Sequence, residues 1–200
     1  MFKETIEETL DNSFNVRDEY KNLTVEELQD IAHSDFLPFR VCAINIEGDL
    51  NVGMMVRSAS LLGAEKFYVF GRRRIDRRSM VGAQNYIPIE RVDGFDENND
   101  VDFSQFVDLC SREKLFPILC ETTGHSVKKI EWERYVNMAG QNYTICLVFG
   151  NESNGFPESF LNSPIPRVSV PQRSVLRSFN VAAAGTIIMW ELSQHLSERQ

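Results

Sequence analysis

The chain has 200 residues, is 42% hydrophobic and carries a formal net charge of −8 with four cysteines. That length suits one domain with a short extension and a proper core, and no stretch reaches the ~18 consecutive apolar residues of a membrane-spanning helix. The acidic opening MFKETIEETLDNSF lacks the apolar segment of a secretory signal, and Cys42, Cys110, Cys120 and Cys146 form no CxxC pair, so a soluble cytoplasmic protein with buried reduced thiols is expected.

In chain order, residues 1–38 read as an acidic helical extension of two short helices, the second marked by Thr24 and Glu27 in a capping-box spacing. The spacing then predicts a strand over 39–45, a helix over 50–64, a strand over 66–71 and a short strand over 86–92. An acidic loop over 93–102 follows, then a helix over 103–114 and a strand over 115–122. Strands over 143–150 and 167–172 and a helix over 178–196 complete the chain. Short apolar strands alternating with amphipathic helices give an α/β fold, a mostly parallel sheet covered by helices on both faces over residues 39–200.

The charge is unevenly placed. Residues 1–35 hold ten acids and three bases, so the other 165 residues carry only −1. Within them Arg72, Arg73, Arg74, Arg77 and Arg78 occupy five of seven positions. A solvated face is the ordinary reading of such a run. Here it directly follows a strand predicted to end beside the ligand loops, which favours contact with nucleic-acid phosphates, and Arg173 and Arg177 can extend that surface. His33, His125 and His195 lack ligand spacing, so no metal is expected.

In a parallel sheet, ligands collect beyond the carboxyl ends of the strands. Three loops leave strands there with unusual chemistry: CETTGH, with Glu121, Thr122 and Thr123; FGNESNGFP, with Gly150, Asn151, Glu152 and Gly155; and VPQRSVLRSFN, with Val170, Gln172, Ser178, Phe179 and Asn180. Their convergence predicts a small-molecule site. Gly150 and Gly155 fit the first part of a P-loop, but Phe156-Pro157 stands where its Lys-Ser/Thr should be, and no GxGxxG occurs. A carboxylate between amides at a strand end, as in Asn151-Glu152, has no packing purpose and points to function.

Read together, DLNVGMMVRSASLLGAEKFYVFG (49–71), LVFGNESNGFP (147–157) and VSVPQRSVLRSFNVAAAGTIIMWEL (168–192) resemble the three motifs of the SpoU/TrmH branch of the SPOUT RNA methyltransferases. VGAQNYIPIERV (81–92) is similar to the segment that family carries between its first two motifs. Phe179 departs from the family's leucine and Ser174 from its glycine. The resemblance implies a C-terminal trefoil knot, which nothing in composition or periodicity reveals. It also implies S-adenosylmethionine against Glu121, Thr122, Thr123, Gly150, Asn151, Gly155, Val170, Gln172 and Phe179, and a homodimer that completes each site. Asn51, Arg57, Glu152, Ser178 and Asn180 match the reaction residues.

A helical arginine such as Arg57 ordinarily snorkels to water. The resemblance places it at the ribose 2′-hydroxyl and adjacent phosphate, as an orienting group, as a stabiliser of the developing alkoxide, or as a base in an extreme local field. Ser178 and Asn180 are also good helix N-caps, and Glu152 is expected to hold Arg57 or Asn180. The implied activity is 2′-O-ribose methylation of structured RNA, with a D-loop guanosine of tRNA ahead of rRNA. An inactive knotted RNA-binding protein and an unrelated nucleotide-binding enzyme are the alternatives.

Overall fold

The computed structural model describes residues 15–71, 75, 77–96 and 100–199. Of the two helices expected before residue 35, the second is α1, Val25–Ser34; Asp18–Tyr20 forms only a 3-10 turn, and residues 1–14 lie outside the described part. The Thr24 hydroxyl accepts from the Glu27 N–H at 3.2 Å and the Glu27 carboxylate accepts from the Thr24 N–H at 2.8 Å, the reciprocal cap foreseen from the spacing. Gln29 Nε2 donates to the Asn85 carbonyl at 2.8 Å and Leu28 is buried, so α1 is docked on the domain.

The domain alternates strands and helices. In order come β1 (Leu37–Ile44), α2 (Asp49–Leu61), β2 (Ala64–Phe70), α3 (Arg77–Met80), β3 (Ile89–Val92), α4 (Phe103–Glu113) and β4 (Leu115–Ser126). Then follow α5 (Trp132–Ala139), β5 (Thr144–Phe149), α6 (Glu158–Leu161), β6 (Arg167–Ser169) and α7 (Val181–Ser197). The six strands form one sheet in the order β3-β2-β1-β5-β4-β6, and every named pair is parallel. Strand alternation divides the core. Phe39, Val41, Ala43, Phe67, Val69, Ile145, Leu147 and Phe149 face α2 and α7, whereas Cys42, Ile44, Tyr68, Phe70, Cys146 and Val148 face α4 and α6.

Several elements differ from the expected ones. Helices α3, α5 and α6 fall in stretches for which no element is predicted. Strand β6 stops at Ser169, so Val170–Gln172 leave the sheet and join a loop. Strand β4 runs to Ser126 because Cys120 and His125 both register on Val168, and residues 121–124 bulge between them. At the bulge a Cβ on Gly124 would lie 2.6 Å from the Val168 backbone, so only glycine permits this approach.

Cys42 and Cys146 are buried, Cys110 and Cys120 partly so, and all four are free; burial pushes each thiol up. Among the described residues no helix is long and apolar enough to cross a membrane.

Beneath α4 lies a charged cluster. The Tyr68 hydroxyl donates to the Glu113 carboxylate at 2.8 Å, Arg40 donates to the same carboxylate at 3.2 Å, and Lys66 and Arg112 pair with Glu113 and Glu90. Burial alone would raise the Glu113 carboxyl; hydrogen bonds from Tyr68, Arg112 and Lys66 outweigh it and hold the group at about 2, below its ordinary 4.5. A carboxyl held low in the folded chain takes up protons more readily when unfolded. Its stabilisation is therefore full above 4.5 and is lost as pH falls toward 2. Thermal melting across that window should show a falling midpoint, and Glu113→Gln should melt lower at neutral pH while losing part of the acid sensitivity.

Candidate active site

The site begins where β5 ends. Asn151 and Gly155 exchange backbone hydrogen bonds of 3.1 and 2.9 Å across the tight loop that contains Glu152, and Gly155 sits at φ +67°. The Asn151 Oδ1 accepts from the N–H groups of Ser153 and Asn154, both at 2.9 Å, and its Nδ2 donates to the Asn45 carbonyl at 2.8 Å. Asn151 thus builds the loop as well as lining the cavity. A Cβ on Gly150 would stand 3.0 Å from the Gly155 carbonyl. The room that glycine leaves at 150 on this side is taken by the loop's own return at Gly155 and Phe156, while Gly150 also lines the cavity.

The Glu152 carboxylate closes a second set of contacts. Helix α2 begins at a Gly48 N-cap with no side-chain oxygen, and Glu152 supplies one from another loop. Its oxygens accept from the N–H groups of Glu47 at 2.7 Å and Gly48 at 3.1 Å and from Asn51 Nδ2 at 2.8 Å. The Asn51 Oδ1 accepts in turn from Asn180 Nδ2 at 3.0 Å. Asn180 is the N-cap of α7, its Oδ1 accepting from Ala182 and Ala183 at 2.9 and 3.2 Å. The predicted partner of Glu152 was Arg57 or Asn180; the actual one is Asn51, which relays to Asn180. Burial would raise the Glu152 carboxyl, yet the bonds from Asn51, Glu47 and Gly48 leave it below the usual carboxylate range.

Between these loops and the segment after β6 lies a cavity of about 600 Å³, well within the size of small-molecule sites. The structure brings Asn51, Glu121, Thr122, Gly150, Asn151, Glu152, Gly155, Val170, Gln172, Arg177, Ser178, Phe179 and Asn180 around it. Thr123, Arg57 and Arg173 are not on its wall. Asn51 and Arg57 are six residues apart on one helix, which turns them by about 120° and separates them by about 9 Å along the axis. Arg57 is exposed on α2. The spacing that drew attention to the pair therefore does not converge them within one chain. Arg72, Arg73 and Arg74 lie outside the described residues, Arg77 is described only as backbone at the start of α3, and Arg78 is exposed on that helix.

Sequence reasoning missed Glu47 and Gly48, which also line the cavity. A glycine ahead of a helix was the available signal: a Cβ at Gly48 would press to 2.7 Å from Asn51 Nδ2.

The floor of the cavity is apolar, formed by buried Phe149, Val168 and Ile188. Among the described residues Glu47, Glu121 and Glu152 make no ion pair, and against the single base Arg177 they leave the walls net negative. One Glu121 oxygen is held by the Thr122 N–H and hydroxyl at 2.7 Å. From Pro171 to Phe179 no backbone group bonds to another backbone group among the described residues, and the Gln172 amide, oriented to suit its neighbours, donates to the carbonyls of Leu176 and Arg177. Free main-chain donors and acceptors, an apolar floor and acidic walls suit a flat nucleoside that carries a positive charge.

This is an α/β domain with a nucleoside-type pocket at the carboxyl edge of its sheet. The chain belongs to the SpoU rRNA methylase family, whose model matches residues 38–190. Among curated proteins none matches it. Solved structures with the same fold include the SpoU methyltransferase AviRb from Streptomyces viridochromogenes in complex with AdoMet. It is 22% identical, with a TM-score of 0.62, over 80% of this chain and 58% of that one. The A. aeolicus TrmH/SpoU tRNA modifying enzyme is 17% identical with a TM-score of 0.68, over 88% of this chain and 83% of its own. A protein solved for the 2-OH methylation of C/U34 on tRNA is 20% identical with a TM-score of 0.62, over 80% of this chain and 97% of its own. The chain thus spans less than two thirds of the length of AviRb.

Asn151→Ala removes three hydrogen bonds that shape the loop and should cost about 2–3 kcal/mol. Calorimetric titration with S-adenosylhomocysteine should show at least a tenfold loss of affinity, whereas Thr123→Ala, off the cavity wall, should bind as the wild type does.

Proposed function

We propose that the protein is an S-adenosylmethionine-dependent RNA 2′-O-ribose methyltransferase that works in the cytoplasm as a homodimer. The observation that carries this reading is the net-acidic, apolar-floored cavity gathered at the sheet's carboxyl edge, with Glu47, Glu121 and Glu152 against Arg177 on its wall. A bound sulfonium nucleoside supplies the electrophilic methyl group. The chain's own residues supply position. Glu152, held low and with both oxygens occupied, orients Asn51 rather than accepting the ribose proton. Asn51 fixes the Asn180 amide, which keeps one N–H free at the cavity mouth, and Ser178 adds a hydroxyl there. The positive end of α7 faces the same point and favours the alkoxide that develops as the hydroxyl reacts.

Arg57 reaches this mouth from a second copy. Helices α2 and α7 lie side by side, tied by a 2.8 Å bond between the Ser58 and Thr186 hydroxyls. Their outer faces leave Leu50, Met54, Leu61 and Trp190 at least half exposed, an apolar strip around Arg57 that a symmetric partner would cover. There Arg57 holds the RNA phosphate and stabilises the alkoxide as the 2′-hydroxyl proton passes to solvent water.

Transfer RNA, and within it a D-loop guanosine, is the favoured target. The solved proteins whose descriptions mention tRNA share most of their length with this chain, 83% and 97%, whereas AviRb is much longer.

Labelled cofactor incubated with tRNA and rRNA should label a ribose 2′-oxygen in tRNA. Arg57→Ala should abolish transfer with cofactor affinity nearly unchanged. Mixing Arg57→Ala with Glu152→Ala protomers should restore about a quarter of wild-type activity, because one site of each mixed dimer receives both intact groups. No restoration on mixing would place Arg57 in the same chain's site and contradict the shared arrangement.

A further inference from the structure

A second cavity of about 460 Å³ shares Asn151, Gly155 and Phe156 with the first, and the proposed reaction makes no use of it. Its floor is Ile44 and Phe156, both buried, and Phe95 adds an aromatic wall. Asn45, Asn154, Glu158, Ser159 and a second carboxylate, Asp100, also line it, and among the described residues the side chains of Asn45, Asn154, Glu158 and Ser159 make no hydrogen bond. Asn45 is held in place by its backbone alone. Its N–H donates to the Phe70 carbonyl at 2.9 Å and its carbonyl accepts from Asn151, with φ at +47°, a conformation that non-glycine residues adopt sparingly.

The cavity also has an address. Phe95 lies 3.4 Å from where a Cβ on Gly71 would stand, and Gly71 is the residue from which the chain enters the arginine run. An apolar floor with an aromatic wall, unspent amides and a carboxylate is what a protein presents to a splayed-out base.

We propose that this second cavity receives an unpaired guanine of the RNA, an assignment that rests on the methyltransferase reading above. A carboxylate is an acceptor only, and of the four bases guanine alone offers two adjacent N–H donors on its pairing edge to the fork of Glu158. The amides of Asn45 and Asn154 can donate to the guanine O6 and N7 acceptors. The wall shared with the first cavity places that nucleotide next to the reacting ribose, so base choice and methyl transfer are coupled through the Asn151 loop.

The test is nuclear magnetic resonance titration of the labelled full-length protein with GMP, AMP, CMP and UMP, with inorganic phosphate as the control for the shared phosphate group. GMP should shift the side-chain amide signals of Asn45 and Asn154 with about tenfold higher affinity than the other three, the size of one bidentate base contact. Glu158→Gln, a conservative change at the exposed start of α6, should erase that preference. Equal affinities for the four nucleotides, shifts reproduced by phosphate alone, or a preference that survives Glu158→Gln would each overturn the subsite. A parallel titration with S-adenosylhomocysteine separates the two readings. Unchanged binding in Glu158→Gln supports independent cavities, and no binding to the wild type overturns the methyltransferase reading itself.

Discussion

A directional hydrogen-bond chain from Glu152 through Asn51 to Asn180 is the constraint on which the site depends. Each link fixes the next. The Asn180 oxygen is committed to the first N–H groups of α7, so its nitrogen must face Asn51. The Asn51 oxygen is thereby used, and its nitrogen turns to the Glu152 carboxylate. Three segments separated by 101 and 129 residues are locked at one point by two side-chain bonds. A carboxylate at 152 is required because this position must accept from three donors at once, two of them backbone groups that would otherwise lack partners.

The fold explains why these segments can meet. Strands β1 and β5 are neighbours in the sheet, so the loops that leave them, carrying Glu47–Asn51 and Asn151–Gly155, lie side by side. Helix α7 returns from the far edge, beyond β6, to pack on β1, β5 and α2, and its N-terminus arrives at the same place. Close backbone approach at Gly48, Gly124 and Gly150 brings the loops near enough for short side chains to bridge them. Packing of α7 buries Ile188, Met189 and Leu192, and this apolar face, rather than the polar chain, holds the helix against the sheet. The polar chain sets only its end.

Much of this was legible in the residues. Apolar runs of strand length alternating with amphipathic helices gave the parallel sheet, and the Thr24–Glu27 spacing gave α1. Unusual polar loops after strands pointed to the residues that line the cavity, Glu121, Gly150, Glu152, Val170 and Asn180 among them. What stayed hidden depends on side-chain direction. The Asn51–Arg57 spacing reads as a pair in one dimension, yet a helix turns the two apart. Gly150 lines the cavity, yet its close packing against Gly155 and Phe156 depends on a loop return that the sequence does not display. Val170–Gln172 read as continuing the strand, but Pro171 has no N–H for a ladder and β6 ends at Ser169, opposite Ser126 at the end of β4. Partner choice for Glu152 was equally invisible, since it depends on which donor α2 happens to leave uncapped.

Charge follows the same logic of place over average. A net charge of −8 hides an acidic extension and a local arginine run, and within the site it hides three glutamates that a cationic nucleoside can neutralise. The most direct measurement of the central constraint is a double-mutant cycle between Glu152→Ala and Asn180→Ser, the latter keeping a helix-capping oxygen while losing the amide donor. Affinity for S-adenosylhomocysteine is the readout. A coupling of about 1 kcal/mol or more between the two positions is expected, transmitted through Asn51. Strictly additive losses would show that the two residues act independently and would contradict a chain that binds the three loops into one site.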